Sequence, residues 1–493
     1  MFSFKTQPIP KKLIILLLSL CSGSLVAQTR LPAVISTNMV LQRNTRVPVW
    51  GWAAPNTAVK VTFAGQSVNT TAGADSTWQV KLAPLVVSNT PQTMIITAGI
   101  QQIKLDNILV GDVWLCSGQS NMNYPMDKSI NHFTNPAKGT DSAAIAMRQS
   151  HPGIRIMKVE MSYRLPGVTS TGWQLCEGRT LERSSAAGFF FARQIHQKLG
   201  VPVGIITSAW DGSRIEPWTP PAAYKTLPEF KEDLMKNDTV IDDERAGTMY
   251  RSMIKPLAPF ALKGIIWYQG ESNCMIEEHD MRYACKMQVM IDSWRKLFNA
   301  NLPFYYTMIA PYVYTEWHNN IPHTIETLPK FWEQQAAAVK IPNTGFVVTT
   351  DLVDTITNIH PSYKWIVGER LANLALSKTY GVKGIAYLYP QYDHKKTADN
   401  KLVLSFKNAA GLHTADGQSP NFFTIAGADG HFLPARAVIK HNTIILSNPD
   451  IKMPVDARFA WTQFAMPNLV NAAGLPAIPF RTNGETWIYQ PGL

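Results

Sequence analysis

Between residue 31 and about residue 105, short runs of alternating apolar and polar positions are separated by Gly, Asn, Pro or Asp; they fall at 47–52, 59–63, 78–82 and 94–97. Alternation with period two buries one face of each run, so this stretch predicts a small antiparallel β-sandwich. The pattern then changes. Residues 108–116, 203–208, 264–268, 304–309 and 345–350 are almost unbroken apolar runs, as strands buried on both faces of a parallel sheet must be. Helical spacing lies between them. Residues 184–199 follow a Ser cap and stop before Gly200, residues 279–298 and 328–339 continue the rhythm, and residues 361–380 open on Pro361 and stop at Gly381. Past residue 401 β-type runs return at 402–406, 437–439 and 443–446. The expected division is a β module over 28–105, an α/β domain with a parallel sheet over 106–393, and a second β module over 394–493, free to pack on the first.

The first 27 residues belong to none of these. Lys5, Lys11 and Lys12 precede an apolar run at 13–20, and a small-residue stretch ends at Leu25-Val26-Ala27, the pattern of an export signal cleaved after Ala27. A lipoprotein signal at Cys21 fits less well, because Leu20 is large where such a site wants a small residue. No other run approaches the roughly 18 apolar residues of a membrane helix. The expectation is an exported chain, periplasmic or extracellular, with no transmembrane segment in its mature form.

Composition and charge refine this picture. With 493 residues, 45% hydrophobic and 16% charged, the chain is ordinary globular protein, which excludes a disordered or coiled-coil chain. Removing residues 1–27 takes three lysines and no acid from a formal charge of +11, leaving +8. The basic residues are scattered, so no nucleic-acid partner is expected, while an anionic substrate or polyanionic surface is compatible. Cys116, Cys176, Cys274 and Cys285 allow up to two disulfides in an oxidising compartment, and none has zinc-site spacing. No metal or cofactor is expected.

Candidate chemistry follows the central strands. Ser117-Gly118-Gln119-Ser120-Asn121-Met122 comes after the first, Trp210-Asp211-Gly212-Ser213 after the second, Gln269-Gly270-Glu271-Ser272-Asn273 after the third, and Asn358-Ile359-His360-Pro361 after the last. In an open α/β sheet the loops at the carboxyl ends of the strands share one crevice, where ligands bind. Ser120 on a strand-to-helix turn presents a hydroxyl that needs a base, and His360 supplies one. Gly212 lets backbone approach a developing oxyanion, and the Gln269 amide is a further candidate donor, each such donor being worth about 2.7 to 4 kcal/mol in the transition state.

These segments resemble the sialate O-acetylesterases, secreted members of the SGNH hydrolase superfamily. The resemblance rests on Gly111 to Met122, on Leu199 to Ile206, on Trp267-Tyr268-Gln269-Gly270-Glu271-Ser272-Asn273 and on Ile359-His360-Pro361. It extends to Asn38 to Arg43 near the start and to Gly474 to Ala477 and Pro479 to Thr482 near the end. It implies an SGNH/flavodoxin-like three-layer α/β/α catalytic domain flanked by β-sandwich-type modules. The implied activity is cofactor-free hydrolysis of acetyl esters on sugar hydroxyls, of sialic acid above all. Carried over, Ser120 is the nucleophile and His360 its base, with the Ser120 N–H, Gly212 and Gln269 around the oxyanion.

Two departures stand out. The position three before the base, often an acid in the superfamily, is Thr357; Asp351 and Asp354 are the nearby candidates, and a Ser-His dyad oriented by a backbone carbonyl is equally admissible. Asp211 stands where similar sequences carry Gly, and it is expected to point away or to be paired, for instance with Arg214. On the substrate side the candidates are Asn121, Arg214, Glu271, Asn273 and Trp210. Arg214 is placed either to fork onto a sialic-acid carboxylate or to pair with Asp211 or Glu216, while Glu271 and Asn273 have a loop-organising alternative. The rival readings are an acetylesterase for xylan or another polysaccharide, and a non-catalytic carbohydrate-binding surface protein. Oligomeric state stays open.

Overall fold

One long strand joins the amino-terminal region to the central sheet. The computed structural model describes residues 28–131, 138–163, 167–317, 319–484 and 487–490. The export signal and Cys21 therefore lie outside the described residues. Six strands come first: β1 (Val40–Gln42), β2 (Val47–Trp52), β3 (Ala58–Phe63), β4 (Gln66–Thr71), β5 (Thr77–Leu82) and β6 (Ser88–Ala98). β2 pairs with β5, and β3 with both β4 and β6, all antiparallel. β7 (Gln101–Gly118) then runs 18 residues. Its first half pairs antiparallel with β6, and its second half continues into the central sheet across the expected boundary at 105/106.

After β7 come β8 (Ile154–Lys158), β9 (Trp173–Leu175), β10 (Val203–Ala209), the small hairpin β11 (Val240–Ile241) and β12 (Glu244–Arg245), then β13 (Gly264–Tyr268), β14 (Phe304–Thr307) and β15 (Thr344–Val347). The central order is β15-β14-β13-β7-β10-β8-β9, with every pair parallel except β8 with β9. The five apolar runs of the sequence are β7, β10, β13, β14 and β15. β8 and β9 escape the pattern because Arg155 interrupts the apolar run; it is buried nonetheless, its guanidinium donating to the Pro152 and Ile154 carbonyls. Helices Ala186–Leu199, Arg282–Phe298, Thr327–Ala337 and Lys364–Lys378 fill the connections. The first is capped by Ser185, whose Oγ accepts the Gly188 N–H at 3.0 Å.

The amino-terminal strands share one continuous apolar core with the central sheet, whereas residues 402–477 bury a second core of their own. The two β regions thus bury separate cores. The carboxy-terminal region is tied to helix Thr327–Ala337 and the residue before it, through Arg458 with Glu326 at 2.8 Å and Arg481 with Glu333 at 2.7 Å. The molecule is a mixed α/β protein with a β-rich carboxy-terminal region. Cys116, Cys176, Cys274 and Cys285 are all buried free thiols, so neither of the two permitted disulfides forms. Among the described residues no helix is long and apolar enough to cross a membrane.

Candidate active site

β7, β10 and β13 end side by side, and hydrogen bonds lash their ends together. The Gln119 N–H donates to the Tyr268 carbonyl at 3.0 Å, and the Trp210 N–H to the Gly118 carbonyl at 3.0 Å. Gly118 has φ +137°, and a Cβ there would lie 2.1 Å from the Tyr268 oxygen, so only glycine lets the strands close. Directly after this pinch Ser120 opens the short helix Ser120–Asn123. The hydroxyl is thus presented at the carboxyl edge of the sheet, beside N–H groups that the first turn of a helix leaves free.

His360 comes to it from the loop before helix Lys364–Lys378. Its Nε2 lies 2.7 Å from Ser120 Oγ. The Asn358 side chain accepts the His360 N–H at 2.9 Å. Asn121 Nδ2 donates to the Ile359 carbonyl at 3.0 Å, and Lys364 Nζ donates to the Pro361 carbonyl. The two carbonyls flanking His360 are therefore both held from the core side. The Tyr124 ring stacks near the imidazole, with centroids 6.1 Å apart and planes inclined by 24°.

Among the described residues His360 has no other side-chain hydrogen bond. Here the expected acid partners need correction. Asp351 takes a two-pronged bond from Arg370 at 2.8 and 2.5 Å. Asp354 accepts from Lys138 at 2.9 Å and from the Tyr363 hydroxyl at 2.6 Å. Each carboxylate is drawn to a nearby cation, and neither orients the base. Among the described residues no backbone carbonyl accepts from the His360 ring either, so the carbonyl-oriented form of the dyad is not seen; what holds His360 is the bonding of its own backbone and of the two carbonyls beside it.

The surroundings favour a neutral imidazole. Burial and then the Lys364 and Lys128 ammonium groups push the His360 pKa down from the usual 6.5 to about 4, against a small opposing pull from Asp211. Lys364 is fully buried, its Nζ standing 4.7 Å from the Tyr124 ring centroid and 5.5 Å from that of Tyr268. Burial lowers its own pKa to about 7. Glu271, equally buried, is pushed up to about 7 by the same desolvation, and its carboxylate accepts from Asn121 Nδ2.

Two backbone N–H groups of these loops, those of Ser120 and Gly212, are left without a protein acceptor among the described residues. Gly212 has φ +69° and is exposed. The neighbouring Asp211 accepts from Asn123 Nδ2 at 2.9 Å, which couples the Gly212 loop to the Ser120 helix. Asp211 is thus paired as expected, but with Asn123 instead of Arg214.

Gln269 is a second correction. Its Nε2 donates to the Ser213 carbonyl at 3.1 Å and to Asn273 Oδ1 at 2.8 Å, which uses both amide hydrogens inside the protein. A fully buried amide with no hydrogen left is no oxyanion donor; it holds the loop that carries Gly212. Asn121, Glu271 and Asn273 are also buried beyond reach of a ligand and act on loops, Asn273 by accepting the Ile215 N–H at 2.9 Å. Arg214 is committed to Glu216 at 2.5 Å and to the Asp242 carbonyl at 2.9 Å, so it is not free to grip a substrate carboxylate. Trp210 remains accessible, stacked on Tyr163 at 4.7 Å.

Sequence reasoning missed two features. Lys286 Nζ, fully buried on helix Arg282–Phe298, binds Glu216 at 2.7 Å, Asp242 at 2.5 Å and also Glu278. Its ammonium fills the place that a cation would take among three carboxylates, and Glu216 in turn touches Asn273. Lys364 was the other. Its signal was present: a lysine in the first turn of a helix opposes the helix dipole and calls for a specific reason.

The family described as carbohydrate esterase, sialic acid-specific acetylesterase, matches residues 110–377, which include Ser120, Gly212 and His360. Sialate O-acetylesterase of Homo sapiens is 27% identical over 497 residues, covering 92% of this chain and 92% of its own. The Mus musculus enzyme of the same name is 26% identical over 523 residues, covering 91% and 92%. The crystal structure of a carbohydrate acetylesterase from Xanthomonas citri superposes with a TM-score of 0.79 at 31% identity, covering 93% of this chain and 100% of that one. With a serine hydroxyl 2.7 Å from an imidazole nitrogen and relatives that match more than nine-tenths of its length, the chain belongs to the carbohydrate esterase, sialic acid-specific acetylesterase family, whose members are carboxylic ester hydrolases that remove O-acetyl groups.

Proposed function

We propose that this chain removes acetyl groups from O-acetylated sialic acid or a closely related acidic sugar, through an acetyl-enzyme on Ser120. The carrying observation is the 2.7 Å contact between Ser120 Oγ and His360 Nε2. Ser120 Oγ attacks the acetyl carbonyl as Nε2 takes its proton. The resulting oxyanion is met by the Ser120 and Gly212 N–H groups, which have no acceptor to give up among the described residues. His360 then hands the proton to the departing sugar oxygen. Water deacylates the serine with the same base.

The names of the mammalian relatives support sialic acid as the sugar. The Xanthomonas citri likeness favours a second reading, an acetyl ester on another glycan, because that protein is described only as a carbohydrate acetylesterase. The run of parallel strands β7, β10, β13, β14 and β15 supports an SGNH-type three-layer arrangement around the site. Lys5, Lys11, Lys12 and the apolar run before Ala27 support export, and the break between the two buried cores supports a separate carboxy-terminal module. Acetate release from acetylated sialic acid and from acetylated xylan, measured beside Ser120→Ala, tests the assignment. Loss of both activities in the variant, with sialic acid the better substrate, is the expected result; near-full turnover by the variant overturns it.

A further inference from the structure

Beyond Trp210 the surface continues as a track of cations and aromatic rings that the hydrolytic chemistry does not use. Tyr163, stacked on Trp210, lines a small cleft with Arg245, Thr248, Arg251 and Ser252. Arg251 also lines a neighbouring cleft of about 620 Å³, where Trp50 and Trp52 of β2 meet Arg30 and Lys255. That volume is in the range of ligand sites. Arg30 is fixed there by paired backbone hydrogen bonds with Trp52, both at 2.9 Å, and its guanidinium stands 5.7 Å from the centroid of the Trp52 ring.

The charge on this track is unbalanced. Among the described residues none of Arg30, Arg245, Arg251 and Lys255 makes an ion pair, and no Asp or Glu lines either cleft. More deeply placed cations such as Arg282 and Lys286 are taken up by nearby acids. Arg30, Arg245, Arg251 and Lys255 are exposed, and the two tryptophans are half-exposed. Flat apolar rings pack against the C–H face of a pyranose, while guanidinium and ammonium groups take its carboxylates. We propose that this track binds the continuation of an acidic oligosaccharide, a chain of carboxylate-bearing sugars whose acetylated unit lies at Ser120. The inference deepens the functional reading above and rests on it: the glycan is held along several units, from the seryl hydroxyl past Trp210 and Tyr163 to Trp50 and Trp52.

The test uses the full chain and Arg251→Glu/Lys255→Glu, both exposed positions outside the catalytic groups. The probes are acetylated oligosialic acid, acetylated xylo-oligosaccharide and a small aryl acetate. For the acidic oligomer KM is expected to rise about tenfold or more, and the rise is expected to shrink with added salt. Turnover of the aryl acetate and KM for the neutral oligomer should stay within about twofold, which also shows that the variant folds. Trp52→Ala should raise KM for both oligomers and leave the aryl acetate unchanged. An unchanged KM for the acidic oligomer, or an equal rise for acidic and neutral oligomers in the charge-reversed variant, overturns the proposal. So does duplex DNA displacing the acidic oligomer from the Ser120→Ala chain at lower concentration than unlabelled oligomer does. That binding measurement needs no hydrolysis, so the cleft can fail while Ser120 stands, and Ser120 can fail while the cleft stands.

Discussion

Replacing Lys364 by methionine tests the electrostatics of the base directly. In the proposed mechanism His360 acts only when neutral, so the acid limb of kcat/KM should follow its pKa, which burial and the Lys364 ammonium bring down from 6.5 to about 4. At pH 5 an imidazole with a pKa of about 4 is about 90% neutral, whereas one at 6.5 is about 3% neutral, a ratio of about 30. Lys364, with its own pKa near 7, is charged throughout this acid range and its effect is fully present there. Methionine fills the same apolar space between Tyr124 and Tyr268 and removes the charge. The limb should move up by the part of the shift that Lys364 supplies, burial and Lys128 keeping the rest, so at pH 5 the variant should lose more than the native chain relative to its own value at pH 8, but well short of about 30-fold. Aryl acetate hydrolysis from pH 3.5 to 8 at constant ionic strength reads both curves, with a melting scan at each pH as the control for folding. The reasoning fails if the native limb lies near 6.5, or if the variant's limb coincides with the native one. The same shift has a stability consequence with a fixed sign: the fold prefers neutral His360, so this contribution is complete above about pH 6.5 and is lost as pH falls toward 4.

Asp351→Asn and Asp354→Asn should each keep kcat within a few-fold of native, because those carboxylates serve Arg370, Lys138 and Tyr363; a loss approaching that of Ser120→Ala, about 10³-fold or more, would restore an acid to the mechanism. Gly212→Ala has open space for its Cβ but a φ of +69°, so the loop should shift or strain by about 1 to 2 kcal/mol and kcat should fall with little change in KM; steady-state kinetics on an aryl acetate checks this. Lys286→Met leaves Glu216, Glu278 and Asp242 without their shared ammonium, and chemical denaturation should report a loss of about 3 to 5 kcal/mol.

What the sequence disclosed and what it withheld divide along a physical line. Strands buried on both faces announce themselves as apolar runs, so β7, β10, β13, β14 and β15 were legible, and with them the polar loops at their ends that hold Ser120, Gly212, Gln269 and His360. The placement of β8 was hidden by Arg155, whose charge is satisfied by carbonyls that no local pattern reveals. Gln269 could be assigned to the right loop but not to the right task, since whether an amide faces a ligand or the protein depends on Asn273 and the Ser213 carbonyl across the crevice. Arg214 was likewise open between two partners, and only the fold brings Glu216 and the Asp242 carbonyl to it. Long-range pairings of this kind carry no periodicity.

The same reasoning bears on why the base is backed by a lysine where a carboxylate is common. An acid on Nδ1 would stabilise the imidazolium formed as Ser120 attacks and raise the base strength of His360. Lys364 does the opposite, and a base of pKa near 4 accepts a proton less readily in the transition state than one near 7. In return the imidazole stays neutral down to low pH, and the ammonium fastens the Pro361 carbonyl so that the ring holds its place without a carboxylate. Removing the charge should therefore make two curves cross: Lys364→Met should lose activity at pH 5 and equal or exceed the native rate at pH 7, where the stronger base is also mostly neutral. A variant that is slower at every pH by one constant factor would mean that Lys364 acts only by holding the loop.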